Sequence, residues 1–453
     1  MSLLRISKRR TMPASAGWPA AAAPAGWRAA PAWWLAAAVG ALAAASGCSS
    51  DGGSAPDAAV DTTADTVAAV DGDDTGDAGT DAADDSDAAS ESSWPGVAAV
   101  AADSVGPSAV GHSTFSFSRD TADGSRAFSV EVWYPATGES GDGTALAELE
   151  PDADRRVALS GLIAAAPTGC LRDHIDAHRD AAAALRPGAP LLVYSHCHVC
   201  TRWSGSAVAE RLASHGFVVL APDHEGNTLY DDLAGVAADV GAAFLRVRAD
   251  DVHAVIAAVR GGTGADALPS IVREAAQLPG GAAPRVGVLG HSFGAVTAGL
   301  VAQEDPQVVA AFAIAAPMAN PLVPGVVVAD IGARPLGFLL ATEDNSITTI
   351  GNNFLRTNFA DAAGAKLLAE LADAGHWGMS DVVALTEGFA PGCGEDQRMT
   401  NPRETFTYLS PARTRDLTAG VVTAFFVEAF AGAEAAQAAL GRLGGQPELT
   451  LSR

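Results

Sequence analysis

Residues 290–294 constrain this chain more than any other segment. Their sequence is Gly-His-Ser-Phe-Gly, and they stand between the apolar run 285–289 and the apolar stretch 295–302. The run has the bulk of a buried strand and the stretch is typical of a helix start, so the sequence predicts strand, sharp turn and helix in succession. The two glycines keep side chains out of the space where strand and helix crowd each other. Ser292 is then expected at the tip of the turn, beside a helix N-terminus that favours developing negative charge.

Alternating apolar segments on either side of this turn predict the fold class. Alternation at residues 113–118 and 128–134, with Asp123-Gly124 between them, indicates a β-hairpin. Behind it, continuous apolar strands alternate with helices, which is typical of an α/β fold with a mostly parallel sheet covered by helices on both faces and the antiparallel hairpin at one edge. Strands are predicted at residues 190–195, 217–220, 285–289, 308–314 and 335–341, with 365–372 as the last strand, and helices at 204–215 and 244–260, with 414–430 as the terminal helix.

The N-terminal part of the chain has the composition of an export signal. Residues 1–47 begin with basic residues, contain no acidic one and include an apolar stretch at residues 29–45. Cys48 follows Ser46-Gly47 and resembles the modified cysteine of a bacterial lipobox, with Ala45 where that motif usually has Leu. The resemblance implies a lipoprotein signal peptide, lipidation of Cys48 and an exported, membrane-anchored protein of the cell envelope. An ordinary cleaved signal or an uncleaved anchor is the alternative.

A tether is predicted to follow the signal. Residues 49–93 contain 12 Asp and one Glu, no Lys or Arg and no aromatic residue. A segment this polar and charged buries too little apolar surface to offset its ordering entropy, so we expect residues 48–93 to be disordered and residues 94–453 to form one catalytic domain. The whole chain has a formal net charge of −25, which argues against binding to nucleic acid or to anionic lipid surfaces.

A serine hydroxyl is a weak nucleophile until a base removes its proton. His376 is the only histidine that follows His291, and it lies just beyond the predicted strand 365–372. In folds with this strand-turn-helix element, an acid and then a histidine follow the serine along the chain. The sequence therefore makes Ser292 the candidate nucleophile and His376 its candidate base.

The acid that orients such a histidine is expected directly after the strand 335–341. Glu343 and Asp344 both stand in that turn, and Asp373 precedes His376 closely. We favour Asp344, with Glu343 and Asp373 as the alternatives. The oxyanion formed on attack also needs N–H donors, and the predicted ones are the amide of Phe293 and, in the loop 196–200, the amide of His198.

The chain resembles bacterial dienelactone-hydrolase-like and platelet-activating-factor acetylhydrolase-like α/β-hydrolases, which are related to polyester hydrolases. The resemblance implies the α/β-hydrolase fold, hydrolysis of small-molecule or lipid-like carboxylic esters through an acyl-enzyme without a cofactor, and the roles of nucleophile, acid and base for Ser292, Asp344 and His376. Cys197 stands where the family usually has Gly, and Ser292 where dienelactone hydrolases proper have Cys. The resemblance covers most of residues 105–430 and rests on segments 128–135, 194–196, 212–219, 221–224, 290–294 and 375–377 and on the turn at Asp344.

The remaining cysteines leave alternatives open. Four of them in an exported chain predict two disulfides, whose pairing the sequence leaves undefined: Cys170, Cys197, Cys200 and Cys393. Soft ligands also cluster in the loop 196–200, and two further histidines stand at helical i,i+4 spacing, so a zinc-binding variant is a second interpretation; its ligands would come from His196, Cys197, His198, Cys200, His174 and His178. A non-catalytic surface binding lipoprotein on a hydrolase fold is a third interpretation, and an acyltransferase with the same triad is a fourth.

Overall fold

A long antiparallel hairpin begins the part of the chain that the structure describes. The computed structural model describes residues 101–138, 143–186, 188–278 and 282–453. Strand β1 (Ala109–Thr121) pairs with β2 (Gly124–Ala136), and Gly124, the first residue of β2 after the turn, has a φ of +133°. The hairpin expected from the alternation is thus present, and it is longer at both ends because the pairing extends past the apolar positions.

The hairpin joins a ten-stranded sheet whose other strands are β3 (His178–Arg179), β4 (Leu191–Ser195), β5 (Val218–Pro222), β6 (Val286–His291), β7 (Val308–Ile314), β8 (Leu336–Ala341), β9 (Lys366–Leu371) and β12 (Leu449–Ser452). The order of the strands across the sheet is β12-β9-β8-β7-β6-β4-β5-β2-β1-β3. The strands β4 to β9 pair in parallel, whereas β2 pairs antiparallel with β5 and β12 antiparallel with β9. The two-residue strand β3 lies outside the hairpin, so the hairpin is next to the edge of the sheet.

Helices cover both faces of the sheet, because successive side chains of a strand point to opposite faces and both sets are apolar. In β4, Leu192 and Tyr194 pack into one buried cluster, and Leu191 and Val193 pack into the other. The mostly parallel α/β architecture expected from the sequence is confirmed. The helices are α1 (Ala153–Ala165), α2 (Ser206–Ser214), α3 (Leu229–Leu233), α4 (Ala242–Val259), α5 (Ser270–Ala275), α6 (Phe293–Glu304), α7 (Thr348–Asp361), α8 (Pro411–Ala431) and α9 (Ala433–Leu443).

The C-terminal region differs from the expectation. The segment 365–372 is a strand but not the last one, and the segment 414–430 is a helix but not the terminal one. Gly432, with a φ of +93°, ends α8, and α9 and then β12 follow it. The strand β12 has only four residues, too few for a periodic pattern, and its pairing with β9 decides its conformation. A small hairpin, β10 (Glu395–Gln397) and β11 (Thr405–Thr407), also had no clear pattern in the sequence.

The helical spacing proposed for His174 and His178 is wrong. His174 forms an isolated bridge with Ala145, and His178 lies in β3, where it pairs with β1. Backbone pairing with neighbouring strands overrides the i,i+4 spacing, and the two rings do not share a helix face.

The predicted signal peptide (1–47), the lipidation site Cys48, the tether (48–93) and the start of the catalytic domain at residue 94 lie outside the described residues. The described residues all belong to one compact unit. No helix in that part of the chain has the length and apolar character needed to span a membrane. Both predicted disulfides are present, as Cys170–Cys393 and Cys197–Cys200.

Candidate active site

Ser292 occupies the turn between β6 and α6 with a φ of 55° and a ψ of −119°, a conformation that residues other than glycine rarely adopt. Its N–H donates to the carbonyl of Ile314 at 2.8 Å, which fixes the turn to the neighbouring strand β7. The side chain is partly exposed, whereas His291 and Phe293 on either side are buried. The strand, the turn and the helix therefore present Ser292 at the C-terminal edge of the parallel strands.

The two glycines of the turn are sterically required. A Cβ atom at Gly290 would lie 2.1 Å from the carbonyl oxygen of Gly294, and a Cβ at Gly294 would lie 1.9 Å from the carbonyl oxygen of Ser195. Both distances are far below van der Waals contact, so no side chain fits at either position. The contact between Gly294 and Ser195 also presses the start of α6 against the loop that follows β4.

His376 and Asp344 form a buried pair. His376 begins a short 3₁₀ turn after β9, and Asp344 lies in the turn after β8. The Nδ1 atom of His376 lies 2.7 Å from Oδ2 of Asp344. The other carboxylate oxygen, Oδ1, accepts the N–H groups of Ser346 and Ile347, both at 2.9 Å. The acid is thus held by the backbone of its own turn while it orients the imidazole.

The two other acids considered from the sequence point elsewhere. Glu343 accepts from Arg398 at 3.2 Å and from the hydroxyl of Thr400 at 2.7 Å, and Asp373 accepts from Arg398 at 2.5 Å. Both carboxylates therefore belong to a polar cluster around one arginine. Of the three candidate acids, Asp344 is the one that the structure brings to His376.

His291 connects the pair to the serine turn. Its Nε2 donates to the carbonyl of His376 at 3.1 Å, and the two imidazole rings lie 5.0 Å apart between centroids. His376 is thus in contact with the residue that precedes Ser292. Among the described residues, no hydrogen bond joins the Ser292 hydroxyl to His376, as is common in structures without substrate. Because Asp344 binds Nδ1, Nε2 is the ring nitrogen left for the serine.

The two predicted oxyanion donors have unused N–H groups. The amide of Phe293 is the first N–H of α6, which no carbonyl of its own helix can accept. The amide of His198 donates to no backbone carbonyl or side chain in the described part of the chain. Its imidazole Nδ1 accepts from Asn227 at 2.7 Å, and burial lowers the pKa of His198 to about 4, so the ring is neutral at pH 7.

The metal interpretation of the loop 196–200 does not fit this arrangement. Cys197 and Cys200 are joined as a disulfide, which removes both thiolates. Both ring nitrogens of His196 are engaged: Nδ1 donates to the carbonyl of Cys197 at 2.7 Å, and Nε2 accepts the N–H of His224 at 2.9 Å. Within the described residues, no group of three or more His, Cys, Asp or Glu side chains is placed to hold a metal ion.

Arg248 is a functional candidate that the sequence reasoning missed. It is fully buried in α4, and it donates to the carbonyl of His196, to Ser195 Oγ at 3.2 Å and to Asn227 Oδ1 at 2.8 Å. Its guanidinium lies 4.7 Å from the centre of the Phe293 ring. Burial lowers the pKa of Arg248 to about 9, above neutrality, so the group stays charged at pH 7. The sequence indicated its burial through its position, because Arg248 lies among the apolar residues that α4 turns towards the core.

Another Ser-His-Asp arrangement, formed by Ser195, His224 and Asp251, lies next to the loop 196–200. Ser195 Oγ lies 2.9 Å from His224 Nε2, and His224 Nδ1 lies 3.2 Å from Asp251 Oδ2. All three residues are at most 2% exposed. A substrate cannot reach a hydroxyl buried in this way, so this arrangement is not a candidate active site, and its contacts hold the end of β4 to α4.

Comparisons with known proteins show what the chain is similar to. Residues 200–377 match the family model described as the dienelactone hydrolase family, and residues 161–230 match that of platelet-activating factor acetylhydrolase, isoform II. Among solved structures, a ferulic acid esterase from Streptomyces cinnamoneus is 21% identical with a TM-score of 0.50, and the alignment covers 76% of this chain and 96% of that one. At this identity the likeness shows the fold alone. No curated protein matches the chain.

Proposed function

Because this chain is an α/β-hydrolase of the dienelactone-hydrolase-like and platelet-activating-factor acetylhydrolase-like group, we propose that it is a serine esterase. Its reaction would be the hydrolysis of small-molecule or lipid-like carboxylic esters through an acyl-enzyme. The observation that carries the proposal is the buried His376–Asp344 pair, which lies in contact with the turn that presents Ser292.

The proposed reaction begins at the serine. Asp344 keeps the proton of His376 on Nδ1, so Nε2 is free to accept the proton of the Ser292 hydroxyl. The serine oxygen attacks the ester carbonyl carbon, and the protonated imidazole then gives its proton to the departing alcohol. Water attacks the resulting acyl-enzyme with His376 again as the base, which releases the carboxylic acid and restores the serine.

Charge that develops on the carbonyl oxygen is proposed to be stabilised by the amides of Phe293 and His198. The first lies at the N-terminus of α6, where the helix dipole also favours negative charge. Preorganised donors of this kind cost no reorganisation at the moment of reaction, and loss of one typically lowers kcat by about 100-fold to 1,000-fold. The neutral state of His198 leaves the amide, not a charged ring, as its contribution.

A fluorophosphonate probe tests the proposal. We expect the probe to modify the full-length protein once, with mass spectrometry placing the adduct on Ser292, and we expect Ser292→Ala to abolish both labelling and hydrolysis of p-nitrophenyl esters. Ser160→Ala, which changes an exposed serine on α1, is the matched control and should retain both. A wild-type protein that neither reacts with the probe nor hydrolyses any ester from acetate to palmitate contradicts the proposal and favours a binding protein.

The site of action is a separate proposal that rests on the sequence of residues 1–93. Export through the lipoprotein-type signal would place the enzyme in the cell envelope, held on a membrane through lipid on Cys48. Labelled fatty acid should enter the wild-type protein and not Cys48→Ala. Equal incorporation into both proteins, or into neither, contradicts the anchor.

A further inference from the structure

We propose that the Cys197–Cys200 disulfide is a positioning element of the oxyanion hole, which fixes the amide of His198 relative to Ser292. The inference rests on the proposed esterase function and deepens it. The disulfide closes a ring that contains only His198 and Val199 between the two cysteines. The amide expected to receive the oxyanion is therefore part of a small covalent ring.

The ring holds its backbone in an unusual conformation. Val199 has a φ of 50°, in the left-handed region that β-branched residues strongly avoid. A hydrogen bond from the N–H of Cys200 to the carbonyl of Cys197, at 3.3 Å, also closes the turn. Such a conformation persists only where the surroundings over-determine it, and the covalent link is one such constraint.

Both ends of the ring are fixed to the fold. Before it, the carbonyl of His196 accepts from the buried Arg248, and the ring of His196 accepts the N–H of His224 at 2.9 Å. After it, the carbonyl of Cys200 accepts the N–H of Leu229 at 2.9 Å, at the start of α3. With its ends held and its span closed by sulfur, the loop has little freedom to move the amide of His198.

The loop also lies directly against the serine turn. A Cβ at Gly294 would meet the carbonyl oxygens of Ser195 and His196 at 1.9 Å and 2.8 Å. With no space between the two segments, the position of the loop sets where the amide of His198 lies relative to α6. A shift of about 1 Å in a catalytic group can lower a rate by about 100-fold.

The short span of the disulfide argues that its main effect is geometric. The cysteines are 3 residues apart, whereas Cys170 and Cys393 are 223 residues apart. The loop-closure entropy that a disulfide removes from the unfolded chain grows with the length of the closed loop. The Cys197–Cys200 bond therefore contributes less to stability than the long-range bond, although it lies at the candidate site.

The test compares two double variants of the full chain. For Cys197→Ala/Cys200→Ala we expect kcat on a p-nitrophenyl ester to fall by about 10-fold to 100-fold, with KM changed by less than about threefold. Affinity for a trifluoromethyl ketone, whose tetrahedral adduct occupies the oxyanion hole, should fall by about the same factor as kcat/KM. Affinity for the carboxylate product should change less. Cys170→Ala/Cys393→Ala is the control: its Tm should fall, and its ratio of ketone affinity to product affinity should stay at the wild-type value.

Two results overturn the inference. The first is a Cys197→Ala/Cys200→Ala protein with wild-type kcat and ketone affinity. The second is a control protein whose ratio of ketone affinity to product affinity falls as much as that of Cys197→Ala/Cys200→Ala. An oxidised wild-type protein without esterase activity or probe labelling would instead contradict the proposed function itself.

Should the first variant not fold, reduction of the Cys170→Ala/Cys393→Ala protein with dithiothreitol gives the same comparison. The dithiol supplies two electrons and two protons to the disulfide Cys197–Cys200 and closes to its own disulfide. Activity should fall as the two thiols appear by mass and return on oxidation with glutathione disulfide. Thiols that appear without loss of rate overturn the inference.

Discussion

The Nδ1 atom of His376 lies 2.7 Å from Oδ2 of Asp344, and both residues are at most 1% exposed. The chain places two further carboxylates, Glu343 and Asp373, within a few residues of this pair, yet Arg398 binds both of them. A buried imidazole with one carboxylate partner has a defined tautomer and orientation, as a general base requires.

Substitution of each of the three carboxylates in turn should therefore show which one orients His376. We expect Asp344→Asn to lower kcat by about 10,000-fold, because an amide favours the wrong tautomer of the imidazole. Glu343→Gln and Asp373→Asn should keep kcat within about threefold. Steady-state kinetics on a p-nitrophenyl ester measure all three, and a severe loss in either control would reassign the acid.

Alanine at the serine turn should be disruptive for steric reasons. At Gly294 the new Cβ would lie 1.9 Å from the carbonyl of Ser195, so the turn and the loop must separate. We expect Gly294→Ala to lower the free energy of unfolding by about 1–3 kcal/mol or more and to abolish most activity. Gly161→Ala in α1, where nothing lies within 4 Å, is the control and should be neutral or stabilising by up to about 1 kcal/mol. Urea unfolding and ester hydrolysis decide the comparison.

The buried arrangement Ser195–His224–Asp251 should not react with a serine probe. We expect Ser195→Ala to retain fluorophosphonate labelling at Ser292; the expectation concerns the position of the adduct and not the labelling rate. Its free energy of unfolding should fall by about 1–3 kcal/mol, because the substitution leaves His224 Nε2 buried without its partner. Peptide mapping of the adduct tests the first expectation. An adduct on Ser195 in the wild-type protein would contradict the assignment of Ser292.

The long-range disulfide should dominate thermal and denaturant stability. Loop-closure entropy assigns about 5 kcal/mol to a crosslink of the length of Cys170–Cys393 and about 2 kcal/mol to one as short as Cys197–Cys200. We therefore expect Cys170→Ala/Cys393→Ala to have the lower urea midpoint of the two double variants. The reverse order would mean that strain or residual structure, not loop length, sets their contributions.

Stability should fall on mild acidification. Burial lowers the pKa of His196, His224 and His291 well below the ordinary value for histidine. Below pH of about 6.5, the unfolded chain then binds protons that the folded chain does not. The free energy of unfolding should fall between pH 7 and pH 5, with a limiting slope of about 1.4 kcal/mol per pH unit for each of these residues.

Two buried carboxyl groups act in the opposite direction. Burial raises the pKa of Glu210 and of Asp223, so the folded chain binds their protons first as the pH falls. Their effect offsets part of the histidine effect at the acidic end of the range. Urea titrations at pH 7, 6 and 5 give the net slope, and a free energy of unfolding that is flat or rising towards pH 5 would contradict the expected balance.

Much of the fold followed from the sequence because it is encoded locally. The runs that became β4 to β8 are mostly continuous in apolar character, as is typical of strands buried on both faces, and the segment 308–314 has the expected bounds. The strands that the sequence did not predict, β12 and the small hairpin of β10 and β11, are all very short, and β12 also pairs with a strand, β9, that lies far away in sequence. A strand of three or four residues has no periodicity of its own, so only pairing determines it.

The place of Ser292 in the turn and the need for Gly290 followed from the contiguous segments around residues 290–294, because a Cβ at Gly290 would meet the carbonyl oxygen of Gly294 in the same turn. The clash that excludes a side chain at Gly294 is with the carbonyl oxygen of Ser195, and only the tertiary structure shows it. The sequence limited the candidate orienting acid to three carboxylates, but it could not show which of them contacts His376. That choice, together with the buried Arg248 and the pairing of the four cysteines, was decided by the tertiary structure. These contacts join residues between 3 and 223 positions apart. Which partners meet depends on the order of the strands in the sheet, and no single segment of the sequence determines that order.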